Sequence, residues 1–252
     1  MEVYKKPLYY EIAFSFINVK KQIDLFERFI EKYSKIKVKR FIDIGCGPSL
    51  QLREIAKRGY RVTGLDSSSQ MLEYLENRAK EEEIRIETIK GDMTNFKLEK
   101  KADFAFIMMG TINLIESNKK FLLHLDSLAN SLKKGGLYLI ENIRLDWTSK
   151  DLLGAQSWTM ERDGIEVKTT YEITLKDTLD QILTDRIRLD VNDHGSKLVF
   201  EESQDVKMIF PQEFLSLIEL NKKFDFIGWF QRDRMRKLKK ASMDNITILR
   251  RK

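Results

Sequence analysis

The stretch Phe41-Ile42-Asp43-Ile44-Gly45-Cys46-Gly47-Pro48-Ser49 constrains this chain more than any other. An apolar run stops at two glycines one residue apart, and a helical apolar pattern follows at Leu50, Leu52, Ile55 and Ala56. A second apolar run, Arg61-Val62-Thr63-Gly64-Leu65, closes on Asp66, nineteen residues after Gly47. Strand, glycine turn, helix, strand and acid, in that order, is the grammar of a nucleotide-type site. Glycine has no Cβ, so the backbone turns sharply there and comes close to a ligand. A carboxylate at the end of the second strand can accept two hydrogen bonds from a ribose diol. Each such charge-assisted bond is worth about 1.5–3 kcal/mol.

Two ligands compete for that grammar. A dinucleotide site wants a third glycine at position 50, and Leu50 stands there. The triplet Asp43, Gly45 and Gly47 instead resembles the first motif of the class I S-adenosylmethionine-dependent methyltransferases. Ser49 stands where that family usually has a third small residue, a mild departure. Further stretches follow in family order. Ile86–Met93 resembles the third strand with its Gly91-Asp92 ending, Ala102–Gly110 the fourth strand, and Leu132–Ile140 the helix end, glycine turn and fifth strand. Tyr10-Glu11-Ile12-Ala13 resembles the family's leading helix, whose tyrosine often covers the methionine end of the cofactor. The resemblance runs over residues 8–145 and, more weakly, 207–252.

The resemblance implies a Rossmann-like α/β fold with a mostly parallel seven-stranded sheet and helices on both faces. It implies S-adenosylmethionine as cofactor and S-adenosylhomocysteine as product. Carried onto this sequence, the cofactor site comprises Tyr10, Asp43, Gly45, Cys46, Gly47, Asp66, Ser67, Met71, Asp92, Met93, Met108, Met109 and Gly110. Asp92 is expected at the adenine amino group and Met93 against the ring. A plain tight turn at Gly45 and Gly47, and helix N-caps at Asp66 and Asp92, are the bland alternatives.

The hydrophobic pattern agrees with this architecture. Residues 8–34 read as one helix, with apolar residues at Ile12, Phe16, Ile23, Phe26, Phe29 and Ile30. Strands near 38–44, 60–65, 84–90, 102–108 and 136–143 then alternate with helices near 49–58, 69–81 and 118–132, the pattern of a parallel sheet. From about residue 147 the period changes to two. Runs at 165–175, 186–191 and 197–210 predict an antiparallel meander of about three strands. The expected organisation is a cofactor-binding core at 1–146 and 209–252, with residues 147–208 inserted as an acceptor lid. Removing the lid is expected to spare cofactor binding. A helix from Pro211 and strands at 224–230 and 246–250 finish the chain.

Composition sets the outer limits. Apolar residues make up 42% of the 252, enough for a full core in one large domain. No apolar run reaches eighteen residues, so no membrane span is expected, and the N-terminus does not read as a signal peptide. Cys46 is the single cysteine, which rules out internal disulfides and cysteine zinc clusters; no metal site and a cytoplasmic setting are expected. Charged residues at 33% with three prolines suggest heat adaptation.

The acceptor is narrowed chiefly by exclusion. The stretch Met109-Gly110-Thr111-Ile112-Asn113 lacks the Asn/Asp-Pro-Pro-Tyr/Phe sequence of enzymes that methylate exocyclic base amines, and no cysteine outside the cofactor turn is present for carbon-5 pyrimidine chemistry. Insertions after the fifth strand resemble those of glycine and amino-sugar N-methyltransferases, so a small molecule, with an amine as candidate nucleophile, is the expected acceptor. Asn113, Arg144, Trp147, Tyr171 and Trp229 are candidates for its pocket. No catalytic side chain stands out, and a neutral amine needs no general base. His124, among Leu122, Leu123 and Leu125, reads as structural. The run Arg232–Lys240 is the sharpest basic segment, and an RNA or protein methyltransferase using it is the rival reading, though nucleic acid is not favoured. A non-catalytic adenosyl-nucleoside-binding regulatory subunit is the rival from another class.

Overall fold

In the computed structural model, which describes residues 2–150 and 152–252, strand β1 (Arg40–Ile44) is buried at every position. Its start is fixed by Asp103, whose Oδ2 accepts the backbone N–H of Lys39 (2.9 Å) and Arg40 (3.0 Å). Apolar side chains then alternate between two layers. Phe41 faces one and Ile42 the other, as the two-residue period of a strand requires when both sheet faces are covered.

Seven strands form one sheet in the order β10-β11-β5-β4-β1-β2-β3. The parallel members are β1, β2 (Arg61–Asp66), β3 (Glu87–Lys90), β4 (Ala102–Ile107) and β5 (Leu132–Glu141). The hairpin of β10 (Phe224–Gln231) and β11 (Asn245–Arg251) closes the sheet, with β11 antiparallel to β5. On one face lie α5 (Asn118–Ser131) and α6 (Pro211–Asn221), packed through Phe121, Leu125, Phe214 and Ile218. On the other lie α2 (Val19–Tyr33), α3 (Leu50–Lys57) and α4 (Ser69–Glu81), packed through Phe26, Phe29, Leu52 and Leu75. This is the Rossmann-like class I methyltransferase architecture.

The predicted helix over 8–34 is two helices. Short α1 (Pro7–Ala13) ends at Phe14, and α2 restarts where the Asn18 side chain accepts the N–H of Lys21 (3.1 Å). Each half serves a different core: Ile12 and Ala13 pack on the second sheet, whereas Ile23, Phe26 and Phe29 pack on the parallel one. A straight helix would not reach both. The fifth strand also starts earlier than its apolar run, because α5 passes directly into it at Leu132. Gly136 permits that join, since a Cβ there would lie 2.5 Å from the Asp103 carbonyl oxygen.

The second sheet has four antiparallel strands rather than three, in the order β6-β7-β8-β9. These are β6 (Gly154–Arg162), β7 (Ile165–Asp177), β8 (Ile182–Asp193) and β9 (Ser196–Lys207). The missed strand, β6, is a mostly exposed edge with little apolar alternation to announce it. Trp158 fastens it to the rest of the chain by donating its indole N–H to the Ala13 carbonyl (2.7 Å). Among the described residues no helix is long and apolar enough to cross a membrane.

Candidate active site

The carboxyl ends of the parallel strands meet at the glycine turn after β1. Gly45 (φ +66°) and Cys46 donate their backbone N–H groups to the Leu65 carbonyl (2.7 and 3.0 Å), which locks the turn onto the end of β2. A Cβ on Gly45 would lie 2.5 Å from Thr111 Cγ2, so only glycine fits. Ser49 caps α3 by accepting the N–H of Leu52 (3.1 Å) and donates its hydroxyl to Asp43 Oδ2 (2.6 Å). The other oxygen, Asp43 Oδ1, is buried with no hydrogen-bond partner. Burial pushes the Asp43 carboxyl well above the usual carboxylate range, against the lowering pull of Ser49, and nearby Asp66 adds to the rise. Burial likewise holds the Cys46 thiol up, so its part in the turn is played by its backbone.

Asp66 sits at the end of β2, and its Oδ2 accepts the N–H of Gly47 (2.7 Å) while its Oδ1 accepts that of Ser68 (2.8 Å). Each oxygen keeps a second lone-pair site. Burial raises its pKa, and the backbone N–H groups of Ser68, Gly47 and Ser67 oppose the rise. Ser67 is exposed beside it, and Met71 is buried in the first turn of α4 with its N–H on Ser68 Oγ. A Cβ added to Gly47 would meet nothing within 4 Å, so open space lies over the turn.

Asp92 is exposed at the next loop, and its Oδ1 accepts both the N–H (2.7 Å) and the hydroxyl (2.8 Å) of Thr94. The neighbouring Met93 is half-buried, and its carbonyl accepts from His124 Nδ1 (2.8 Å). Because a carbonyl only accepts, His124 carries its proton on Nδ1, and Nε2 accepts from the Tyr138 hydroxyl (2.8 Å). Burial pushes the His124 pKa down to about 4, so the ring is neutral at ordinary pH, in keeping with a structural role. After β4, Met108 is buried and Met109 takes a left-handed turn (φ +55°) into Gly110. The Met109 N–H is held by Glu141 Oε2 (2.8 Å), and Glu141 Oε1 accepts from Arg232 Nε (2.9 Å).

Tyr10 lies between the two halves of the site. It packs with Tyr171 on the apolar cluster of the second sheet, and burial, with the Asp66 charge adding to it, raises its pKa far above 10. Tyr171, on β7, donates its hydroxyl to Asp185 Oδ2 on β8. Arg144 Nη2 donates to the same Asp185 oxygen (2.6 Å) and to the Tyr171 hydroxyl (2.8 Å). Arg144 and Asp185 are both buried, yet Arg144 Nη1 and Asp185 Oδ1 have no hydrogen-bond partner. Asn113 braces this cluster to the β4 loop. Its amide donates to the carbonyls of Gly110 (2.8 Å) and Asn142 (2.9 Å), and its oxygen accepts the N–H of Arg144 (3.2 Å).

The other two acceptor candidates are not brought here. Trp147 is 60% exposed, edge-on to Phe210. Trp229 packs against Phe214 and Phe226, because the break in register between Phe226 and Gly228 resets the alternation of β10 and turns it toward α6. Asp185 and Glu141 escaped the sequence reading, although both left a signal. Asp185 breaks the inward apolar stripe Leu183, Ile187, Leu189, Val191, and Glu141 ends the buried run Leu137–Ile140.

An unpartnered buried acceptor at Asp43, spare acceptor capacity at Asp66 and open space above a glycine turn suit a cationic, ribose-bearing ligand. The chain is similar to known methyltransferases. The family model described as a methyltransferase domain matches residues 41–136. A putative methyltransferase from Geobacillus sp. (strain WCH70) is 25% identical over 175 residues, covering 66% of this chain and 69% of that relative. Other relatives, among them the ubiquinone biosynthesis O-methyltransferase of Rickettsia canadensis, are matched over about half their length or less. An S-adenosylmethionine-dependent methyltransferase from Clostridium acetobutylicum superposes over 96% of both chains with a TM-score of 0.80 at 16% identity. An S-adenosylmethionine-bound amino pentose methyltransferase from Micromonospora echinaspora covers 92% of this chain and 91% of its own, with a TM-score of 0.69 at 16% identity.

Proposed function

We propose that this chain, a class I S-adenosylmethionine-dependent methyltransferase by its matched domain and its fold, methylates a small molecule held between the parallel sheet and the four-stranded sheet. The observation that carries this reading is the buried Arg144–Tyr171–Asp185 cluster, which offers an unused donor and an unused acceptor. Buried polar atoms are nearly always hydrogen-bonded, and the exceptions call for a ligand or a water. Asp185 Oδ1 suits an N–H or O–H of the acceptor, and Arg144 Nη1 suits a carbonyl or anionic group. An amine nucleophile is favoured because a carboxylate facing it orients its N–H groups. The amino pentose enzyme among the structural neighbours lends this class support.

The cofactor supplies a sulfonium methyl group for in-line displacement, and the protein supplies alignment and exclusion of water. Asp43 would face the cofactor's ammonium, Asp66 its ribose hydroxyls, and Asp92 and Met93 its adenine. Tyr10 would close over it beside the acceptor cluster. A neutral amine carries its own lone pair, so these residues position the nucleophile and no general base is required.

The test incubates the protein with methyl-labelled cofactor and separates metabolite, RNA and protein fractions of an extract. Label should enter the metabolite fraction. Arg144→Lys and Asp185→Asn should each lower kcat/KM by about 10- to 100-fold, as for one charge-assisted bond, without changing cofactor affinity. Label confined to RNA or protein, or full activity in both variants, would refute the reading.

A further inference from the structure

The connection between β10 and β11 carries six cations, Arg232, Arg234, Arg236, Lys237, Lys239 and Lys240, against two acids, Asp233 and Asp244. Two of these cations are committed to carboxylates: Arg232 to Glu141 (2.9 Å) and Arg234 to Asp233 (2.6 Å). Arg236, Lys237, Lys239 and Lys240 are exposed, and none has a salt bridge among the described residues. They do not hang on a free tether. The loop folds back on β10, with the Leu238 N–H on the Trp229 carbonyl (3.0 Å) and the Gln231 N–H on the Arg236 carbonyl (2.8 Å). Together these residues line a crevice of about 610 Å³. That is a volume suited to part of a small ligand rather than to a flat surface contact.

The crevice belongs to the same edge of the sheet as the active site. Arg232, in its wall, shares Glu141 with the Met109 N–H of the β4 loop. Met243, between the lining residues Ser242 and Asp244, packs on the same apolar cluster as Tyr171 of the acceptor site. We propose that this crevice binds the phosphoryl or pyrophosphoryl group of an acceptor whose reacting end lies at Arg144, Tyr171 and Asp185. The inference rests on the small-molecule reading above.

Charge count and composition favour this occupant. Four unpaired cations exceed what a single carboxylate needs, whereas a pyrophosphate carries several negative charges and many acceptor oxygens, and the Arg236 guanidinium can bind it bidentately. The segment 231–244 contains no aromatic residue, so it offers no platform on which bases could stack, as single-stranded nucleic acid requires. The cations are gathered on one hairpin and do not trace a path along the molecule.

The experiment titrates inorganic pyrophosphate into the full chain by calorimetry at low salt, in the wild type and in the Arg236→Gln/Lys237→Gln/Lys239→Gln/Lys240→Gln variant. S-adenosylhomocysteine is titrated as a control for folding. The wild type should bind pyrophosphate with an affinity that falls as salt rises. The variant should lose at least about tenfold while keeping S-adenosylhomocysteine affinity. Absence of pyrophosphate binding by the wild type, or equal binding by the variant, overturns the proposal. Tighter binding of an oligouridylate than of pyrophosphate, abolished by the same variant, also overturns it, in favour of nucleic acid. Failure of the small-molecule reading would show instead in where the methyl label goes.

Discussion

Single residues in this site do two jobs at once. Asp66, proposed as the ribose acid from its place after Gly47, also holds the Gly47 and Ser68 N–H groups with its oxygens. Asp66→Ala should therefore weaken cofactor binding by roughly 2–4 kcal/mol, the loss of two charge-assisted bonds. Unchanged affinity by calorimetry in a folded variant would count against the assignment. Burial raises the pKa of both Asp43 and Asp66, so each is protonated at a higher pH than an exposed aspartate. A cationic cofactor favours their ionised forms. Its affinity should then fall on acidification, beginning above the usual carboxylate range, with protons released on binding. Calorimetry in buffers of differing ionisation enthalpy measures that release.

His124 shows the opposite sign. Its folded pKa of about 4 lies below the unfolded value near 6.5. Its contribution is complete above the unfolded pKa and is lost as pH falls from there toward 4. The full loss is about 3 kcal/mol. Denaturant unfolding of wild type and His124→Gln between those pH values should show a shallower decline in the variant.

At the level of elements, the leading helix is the part least visible in sequence. Its spacing showed an apolar face but not which core that face would join. In the structure α1 is latched by Glu11, whose buried carboxylate accepts from Arg53 Nη1 on α3 (2.6 Å) and Arg162 Nη1 on β6 (2.6 Å). Arg53 reaches on to Glu82, which also pairs with Lys57 (2.7 Å). Removing the central acid leaves Arg53 largely buried without one of its partners. Glu11→Ala should cost about 3–5 kcal/mol of stability, read as a lowered Tm, with residues 7–14 gaining hydrogen exchange first. A Tm equal to wild type would show that the latch is idle.

For the molecule as a whole, apolar contacts cross the expected boundary between a cofactor core at 1–146 and an inserted lid at 147–208. Val3, Ile12 and Ala13 pack against Ile165, Val167, Ile187 and Leu189 of the second sheet, so the segment bearing Tyr10 rests on the inserted strands. Ser68, beside Asp66, also donates its hydroxyl to the Tyr4 carbonyl (3.1 Å). Excising 147–208 with a short glycine linker should therefore abolish acceptor methylation and also weaken S-adenosylhomocysteine binding by more than about 1 kcal/mol, because about three apolar residues lose their cover. Wild-type cofactor affinity in the shortened, folded chain would restore the simpler division.

The alternation of strands and helices, the glycine turn, and the acids at or near the ends of the first three strands were all legible along the chain. Those features are local: backbone reach, side-chain period and the missing Cβ of glycine act within a few residues. Legible too was the change to a period of two after residue 147. Long-range packing brings Arg144, Tyr171 and Asp185 together, lets Glu141 join Met109 to Arg232, and turns Trp229 away. These pairings span 14 to 91 residues: Glu141 joins loops at one edge of the parallel sheet, and Arg144 meets Tyr171 and Asp185 in a contact between the two sheets. No spacing along the chain encodes that contact. It follows from which apolar faces remain uncovered once each sheet has formed.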